Sequence, residues 1–303
     1  MKKVLVLYYS QSGQLREVVK SFISKLSDDD IKVDLKEIKP KVTYPYPWSF
    51  YEFFDEFPGA AHMDGCEVEQ INDLENDYDL IILGYTIWFL APSSPVVGFM
   101  KTPQAKKLFK DKPVVTLIAC RDMWVMAQEK VKILLKEVGA KLIDNVALTD
   151  QGRGIYSFAT TPRWLLTGKK DAFWIFPPAG ISESDIKNAS RFGKRLGEAL
   201  KENKEKTGIP LLKNLGAVNV NGKLIASEMI GTRSFYIWGK IIKAFGKKGS
   251  NSRKIIITVY AVFLALLVFT VVPVNLLVRK ILNMSQKEKL VALEKKYEEP
   301  SGR

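Results

Sequence analysis

The sequence predicts a doubly wound α/β domain on a five-stranded parallel sheet, and three observations predict it. Strand-like and helix-like segments alternate along residues 1–203. The strand candidates Val4–Tyr9, Tyr78–Tyr85 and Pro113–Cys120 are largely continuous apolar runs, the pattern of strands buried on both faces. The first of them breaks into a short Ser/Gly/Gln loop and resumes as a helix, which is how right-handed βαβ crossovers begin.

Each element has its own justification. Gln14–Leu26 places Leu15, Val18, Val19, Phe22, Ile23 and Leu26 at helical spacing. Ile31–Ile38 alternates apolar and charged residues, so it reads as a half-exposed strand near a sheet edge. Thr43–Ala61 crowds eight aromatics between Tyr44 and Phe57, which suits either a packed connecting helix or an apolar wall over a bound ring or lipid-like substrate. Met126–Val138 is amphipathic, and Lys141–Leu148 is the fifth strand. Gly152–Gly180 loses periodicity while carrying many aromatics, the mark of a functional loop or lid. Ser182–Asn203 returns to a helix, with Ser182 as N-cap, and closes the domain.

At 303 residues with net charge +13, the chain exceeds one average domain, and its charge is uneven. Residues 1–200 hold 27 Lys+Arg against 26 Asp+Glu; residues 201–303 hold 19 against 7. Cys66 and Cys120 are the only cysteines, so there is no disulfide framework. The apolar run before Ser10 is too short for a signal peptide, and the globular part is expected in the cytoplasm. With His62 as the single histidine and no G-x-S-x-G elbow, a Ser-His-Asp hydrolase is disfavoured. His62 and Cys66 alone do not make a zinc site.

The chemistry concentrates at strand ends. Ser10-Gln11-Ser12-Gly13-Gln14-Leu15 joins a strand to a helix start, where unpaired N–H groups and the helix dipole favour a phosphate. It is neither a Walker loop nor GxGxxG. Two further loops leave strand ends: Tyr85–Pro95, containing Thr86, Ile87, Trp88 and Phe89, and Cys120–Trp124, containing Arg121 and Asp122. In a doubly wound sheet, ligands bind outside such ends.

On these residues the chain resembles the flavodoxin-like superfamily over 1–202. Its SQSGQL loop is similar to the phosphate loop that grips FMN. Its LGYTIWFLAPSSP loop is similar to the flavin-contacting loop of NAD(P)H-dependent quinone and FMN reductases. The resemblance implies FMN as cofactor and NAD(P)H as reductant. It implies phosphate contacts from Ser10 to Leu15, with Leu15 replacing the usual hydroxyl residue. It implies ring contacts from Thr86, Ile87, Trp88 and Phe89 on one side and Arg121, Asp122 and Trp124 on the other. More loosely, the chain resembles the flavodoxin-like proteins of bacterial dialkylresorcinol and flexirubin gene sets, named as condensing enzymes or given an aromatising role.

Ile255–Val278 contains 24 residues without a charge, enough for a transmembrane helix, after an interfacial-looking stretch in a basic 204–254 segment and before a charged tail, 279–303. Lys247, Lys248, Arg253 and Lys254 precede the span as an anionic leaflet would favour, and the charge points to membrane rather than nucleic acid. The expectation is a single-pass or monotopic, FMN-dependent oxidoreductase acting on a lipid-soluble quinone-like or cyclic-diketone substrate, as monomer or homodimer. The rivals are a flavodoxin-type electron carrier and a non-flavin, membrane-tethered accessory protein.

Overall fold

A computed structural model describes residues 1–75, 77–152, 154–271 and 287–302. Five parallel strands form its centre: β1 (Lys2–Tyr8), β2 (Ile31–Glu37), β3 (Leu80–Trp88), β5 (Pro113–Cys120) and β6 (Lys141–Thr149), in the order β2-β1-β3-β5-β6. The two-residue strand β4 (Ala91–Pro92) folds back antiparallel on the end of β3. The half-polar β2 lies at one edge, where one face needs no cover.

The sheet is covered on both faces because its strands are apolar in both directions. Val4, Val6 and Tyr8 join one core with helices α1 (Gln14–Ile23) and α8 (Ser190–Lys201). Leu5, Leu7 and Tyr9 join the other with α3 (Ser94–Met100), α4 (Pro103–Phe109) and α5 (Val125–Glu137). Gly193 lets α8 settle on α1, since a Cβ there would stand 1.8 Å from the Phe22 carbonyl oxygen. The expected closing helix is two pieces: α7 (Glu183–Asn188), N-capped by Ser182, whose Oγ accepts from the Asp185 N–H at 3.1 Å, and then α8.

The chain beyond residue 203 packs back onto the sheet domain. Leu211, Leu212 and Ala217 enter one core; Val218, Val220 and Ile225 enter the other. Helix α9 (Gly222–Ala244) lies against α2 (Phe50–Ala61), the helical outcome of the aromatic stretch, and α10 (Asn251–Leu266) lies against both. Phe57 stacks on Tyr260 at 4.6 Å, forming a third apolar cluster with Ile242 and Ile257.

This packing corrects the reading of residues 255–278 as a span. Among the described residues no helix is long and apolar enough to cross a membrane. Helix α10 ends at Leu266, is followed by a π-helical turn, Leu267–Val271, and buries Ile257 and Tyr260 against the domain; residues 272–278 lie outside the described residues. Two of the four preceding cations also have protein partners. Arg253 pairs with Asp55 and donates to the Asp55 carbonyl at 2.7 Å, and Lys248 pairs with Glu56. Both acids are on α2, so these charges face the fold.

Candidate functional site

At the carboxyl end of β1 the chain turns through Tyr9–Gly13 into α1. Gly13 adopts φ +85° at the N-cap position, a left-handed conformation that suits glycine, and a Cβ there would meet nothing within 4 Å. The turn thus leaves an open space in front of the helix start. Ser10 is buried and its Oγ accepts from the Arg16 N–H at 3.2 Å, which leaves its hydroxyl proton to donate elsewhere. Among the described residues the N–H groups of Ser12, Gly13, Gln14 and Leu15 have no protein acceptor. An anion is the natural partner of such a cluster.

The other loop residues divide. Gln11 turns aside: its amide donates to the Pro45 carbonyl at 2.7 Å and it accepts from the Tyr9 hydroxyl. Gln14 lies against Gly180 and donates to the Ile181 carbonyl at 3.5 Å. The Leu15 side chain is 1% exposed and packs toward Gly84 in the core, so only its N–H is available to the loop.

The second loop is a hairpin. Phe89 and Leu90 both have positive φ (50° and 59°), as a tight two-residue turn requires, and Ile87 pairs with Pro92. Trp88 packs edge-on against Tyr9, Tyr44 and Trp48, at 5.9, 5.0 and 5.5 Å between ring centroids. Ile87 is partly buried against the same core. Phe89 is a correction, since it packs on Phe53, Phe57 and Phe235 of α2 and α9 rather than beside Trp88.

In the third loop Trp124 is also corrected: it is 1% exposed and belongs to the core. Arg121 is partly buried, donates to the Ser157 hydroxyl, and lies 5.2 Å from the Phe158 ring centroid. Burial lowers its pKa, with Asp150 and Asp122 opposing. Asp122 accepts from the Gly154 N–H at 3.0 Å.

Ser157 and Phe158 belong to α6 (Ser157–Thr167), the helix within the expected lid. Asp150, at the end of β6, staples the lid's two ends, accepting from the N–H groups of Gly152 and Gly180 at 2.6 Å each. Burial raises its pKa. The far end of α6 is tied to the loop before α2, where the Trp48 N–H donates to the Leu165 carbonyl at 2.9 Å. The two aromatic segments noted in the sequence therefore meet over the sheet edge. Beneath them, Thr86 Oγ1, Arg121 Nε, Thr160 Oγ1 and Thr161 Oγ1 are buried without a hydrogen-bond partner.

One residue of this region carried no signal in the loops themselves. Glu228, on α9, is 1% exposed, and its carboxylate accepts from the Met126 N–H at 2.9 Å at the start of α5. Burial pushes its pKa up to about 7, against the opposing hydrogen bonds from backbone N–H groups. His62 is ordinary: it stacks on Tyr236 at 4.2 Å, and among the described residues no group of three or more His, Cys, Asp and Glu could hold a metal.

Counting only the parallel strands, the sheet order is 2-1-3-4-5, with the SQSGQL loop at the point where the winding reverses. The fold is flavodoxin-like. No protein-family profile and no curated protein matches the chain. Solved structures similar to it include a flavoprotein in complex with FMN from Lactobacillus acidophilus (23% identity, 48% of this chain and 93% of that one, TM-score 0.39). They also include a flavodoxin from the domain Archaea (12%, 66% and 99%, 0.38) and the flavodiiron protein from Giardia intestinalis (14%, 68% and 38%, 0.38). At these scores the chain's own strand order carries the assignment of the flavodoxin-like fold.

Proposed function

We propose that the chain is an FMN-binding redox protein whose cofactor lies along the sheet edge under α6. The observation that carries this reading is the pairing of two unmet demands at the switch in strand order. One is the cluster of partnerless N–H groups at Ser12–Leu15; the other is the set of partnerless buried polar atoms of Thr86, Arg121, Thr160 and Thr161. An unpartnered buried polar atom costs on the order of 1–3 kcal/mol, and a ligand with a phosphate at one end and a polar heterocycle at the other relieves both sets.

In this reading Ser10, Ser12 and the amides of Ser12–Leu15 hold the phosphate; the Leu15 side chain takes no part. Thr86, Arg121 and the lid threonines meet the polar edge of the ring. Trp88, Ile87 and the Tyr9–Tyr44–Trp48 cluster supply an apolar flank, and α6 excludes water. Bound FMN would supply the electron transfer. NAD(P)H as reductant and a lipid-soluble quinone-like or cyclic-diketone substrate remain parts of this proposal, supported by the aromatic walls on both sides of the edge. The link to dialkylresorcinol-type chemistry rests on the sequence resemblance alone. The electron-carrier rival draws on the exposed Trp174 and Ile175 within the lid, which offer an apolar contact for a protein partner.

The test is Gly13→Val. A β-branched residue at φ +85° is strained, and its side chain enters the open space where the phosphate would sit. Retention of FMN should fall at least about tenfold while the far-UV spectrum is kept; unchanged retention removes the cradle from the account. Reduction of bound FMN by NAD(P)H and turnover with a soluble quinone would then distinguish the enzyme from the carrier.

A further inference from the structure

The outward side of the C-terminal helices has a chemistry that neither the fold nor the flavin reading uses. Ile255, Val259, Val262 and Leu266 recur at helical spacing along α10 and are 68, 50, 55 and 61% exposed. Trp238 packs against Tyr260 and Phe263 and holds α9 beside α10, and α9 adds exposed Ile230 and Ile237. The inward faces pack on the domain, both helices against α2 and α9 also against α5. The exposed side chains of α10 thus form an apolar stripe at helical spacing, with further exposed apolar residues on the neighbouring α9.

The charges around it identify the partner. From Gly222 to Val271 the sole acidic residue in the sequence is Glu228, which is buried at the start of α5. Arg233, Lys240, Lys247 and Lys254 are exposed. Every exposed charge on α9 and α10 is thus positive. A second copy of the chain would bring two such surfaces together at a repulsive cost, whereas an anionic lipid surface satisfies the apolar face and the cations at once.

We propose that α9 and α10 dock the protein flat on an anionic bilayer, with the outward face of α10 in the headgroup–acyl boundary and the basic side chains at the phosphates. This binding mode lies in the plane of the membrane and keeps Arg253 and Lys248 paired with Asp55 and Glu56. It does not depend on whether a flavin is bound.

The experiment is co-sedimentation of the 303-residue chain with phosphatidylcholine vesicles, with and without about 30% phosphatidylglycerol, at about 0.1 and 0.5 M salt. The wild type should sediment with anionic vesicles at low salt and be weakened by high salt. V259E/V262E, on an exposed face, should lower partitioning at least about tenfold with an unchanged circular dichroism spectrum. K240E/K247E/K254E should also lower it at least about tenfold, from roughly fivefold per cation near the surface. Wild type left in the supernatant overturns the proposal. So does equal sedimentation of V259E/V262E, or binding indifferent to phosphatidylglycerol and salt. Sedimentation velocity covers the remaining occupant: a dimer that V259E/V262E splits, with vesicle binding untouched, assigns the face to a second copy and overturns lipid docking.

Discussion

Replacing Glu228 by glutamine should remove a pH dependence of stability that the wild type carries. The carboxyl is buried beside the start of α5, and burial raises its pKa from an ordinary 4.5 to about 7. The folded protein therefore holds a proton there that the unfolded chain releases. Between pH 4.5 and 7 folding takes up that proton, so stability is highest at the acid end of the window and falls as pH rises. At about 1.4 kcal/mol per pH unit the span amounts to about 3 kcal/mol. Asp144 adds to the same trend: it accepts from the N–H groups of Leu211 and Leu212 at 2.6 and 3.2 Å, yet burial raises its pKa to about 6. E228Q keeps an acceptor for the Met126 N–H and stays neutral throughout. Urea denaturation followed by circular dichroism, at steps from pH 4.5 to 8, should show the variant's curve flattened by about 3 kcal/mol relative to wild type, and the variant more stable at pH 8. Parallel curves for the two proteins would refute the assignment of a raised carboxyl pKa at this position.

Other consequences concern packing. Gly193→Ala would place its Cβ 1.8 Å from the Phe22 carbonyl oxygen, which cannot move without α1, so the midpoint of thermal unfolding should fall by several degrees or the protein should fail to accumulate. Asp55→Asn leaves the Arg253 guanidinium buried without a counter-charge; denaturant titration should show a loss of about 3–5 kcal/mol. Phe57→Ala, at a fully buried ring stacked on Tyr260, should cost about 3–5 kcal/mol by the same method and loosen α10 in hydrogen exchange.

The layered architecture was legible in the sequence because β1, β3 and β5 are buried on both faces, and continuous apolar runs show that directly. Ser182 marked its helix start for a local reason, a side chain capping its own first turn. The site was harder to read. Trp124 and Phe89 stand beside the right strand ends, but which way an aromatic turns depends on what packs there, and core and α2 claim both. Leu15 likewise follows helical periodicity into the core. Glu228 did leave a trace, as the lone acid in an otherwise basic stretch, which is how a buried partner reads in sequence. The pairing of Asp55 with Arg253 spans nearly 200 positions and left none beyond three acids in an aromatic helix. Hydropathy could not separate Ile257 and Tyr260, which face the domain, from Ile255, Val259 and Val262, which do not.

The flavin reading stands or falls on one titration. Purified protein mixed with FMN should quench the flavin's fluorescence to a stoichiometric endpoint and retain the absorbance band near 450 nm through gel filtration. It should bind riboflavin, which lacks the phosphate, at least about tenfold more weakly, because the N–H cluster at Ser12–Leu15 has nothing to receive. Equal affinity for the two would contradict the phosphate cradle, and a colourless protein that takes up neither would contradict the cofactor altogether.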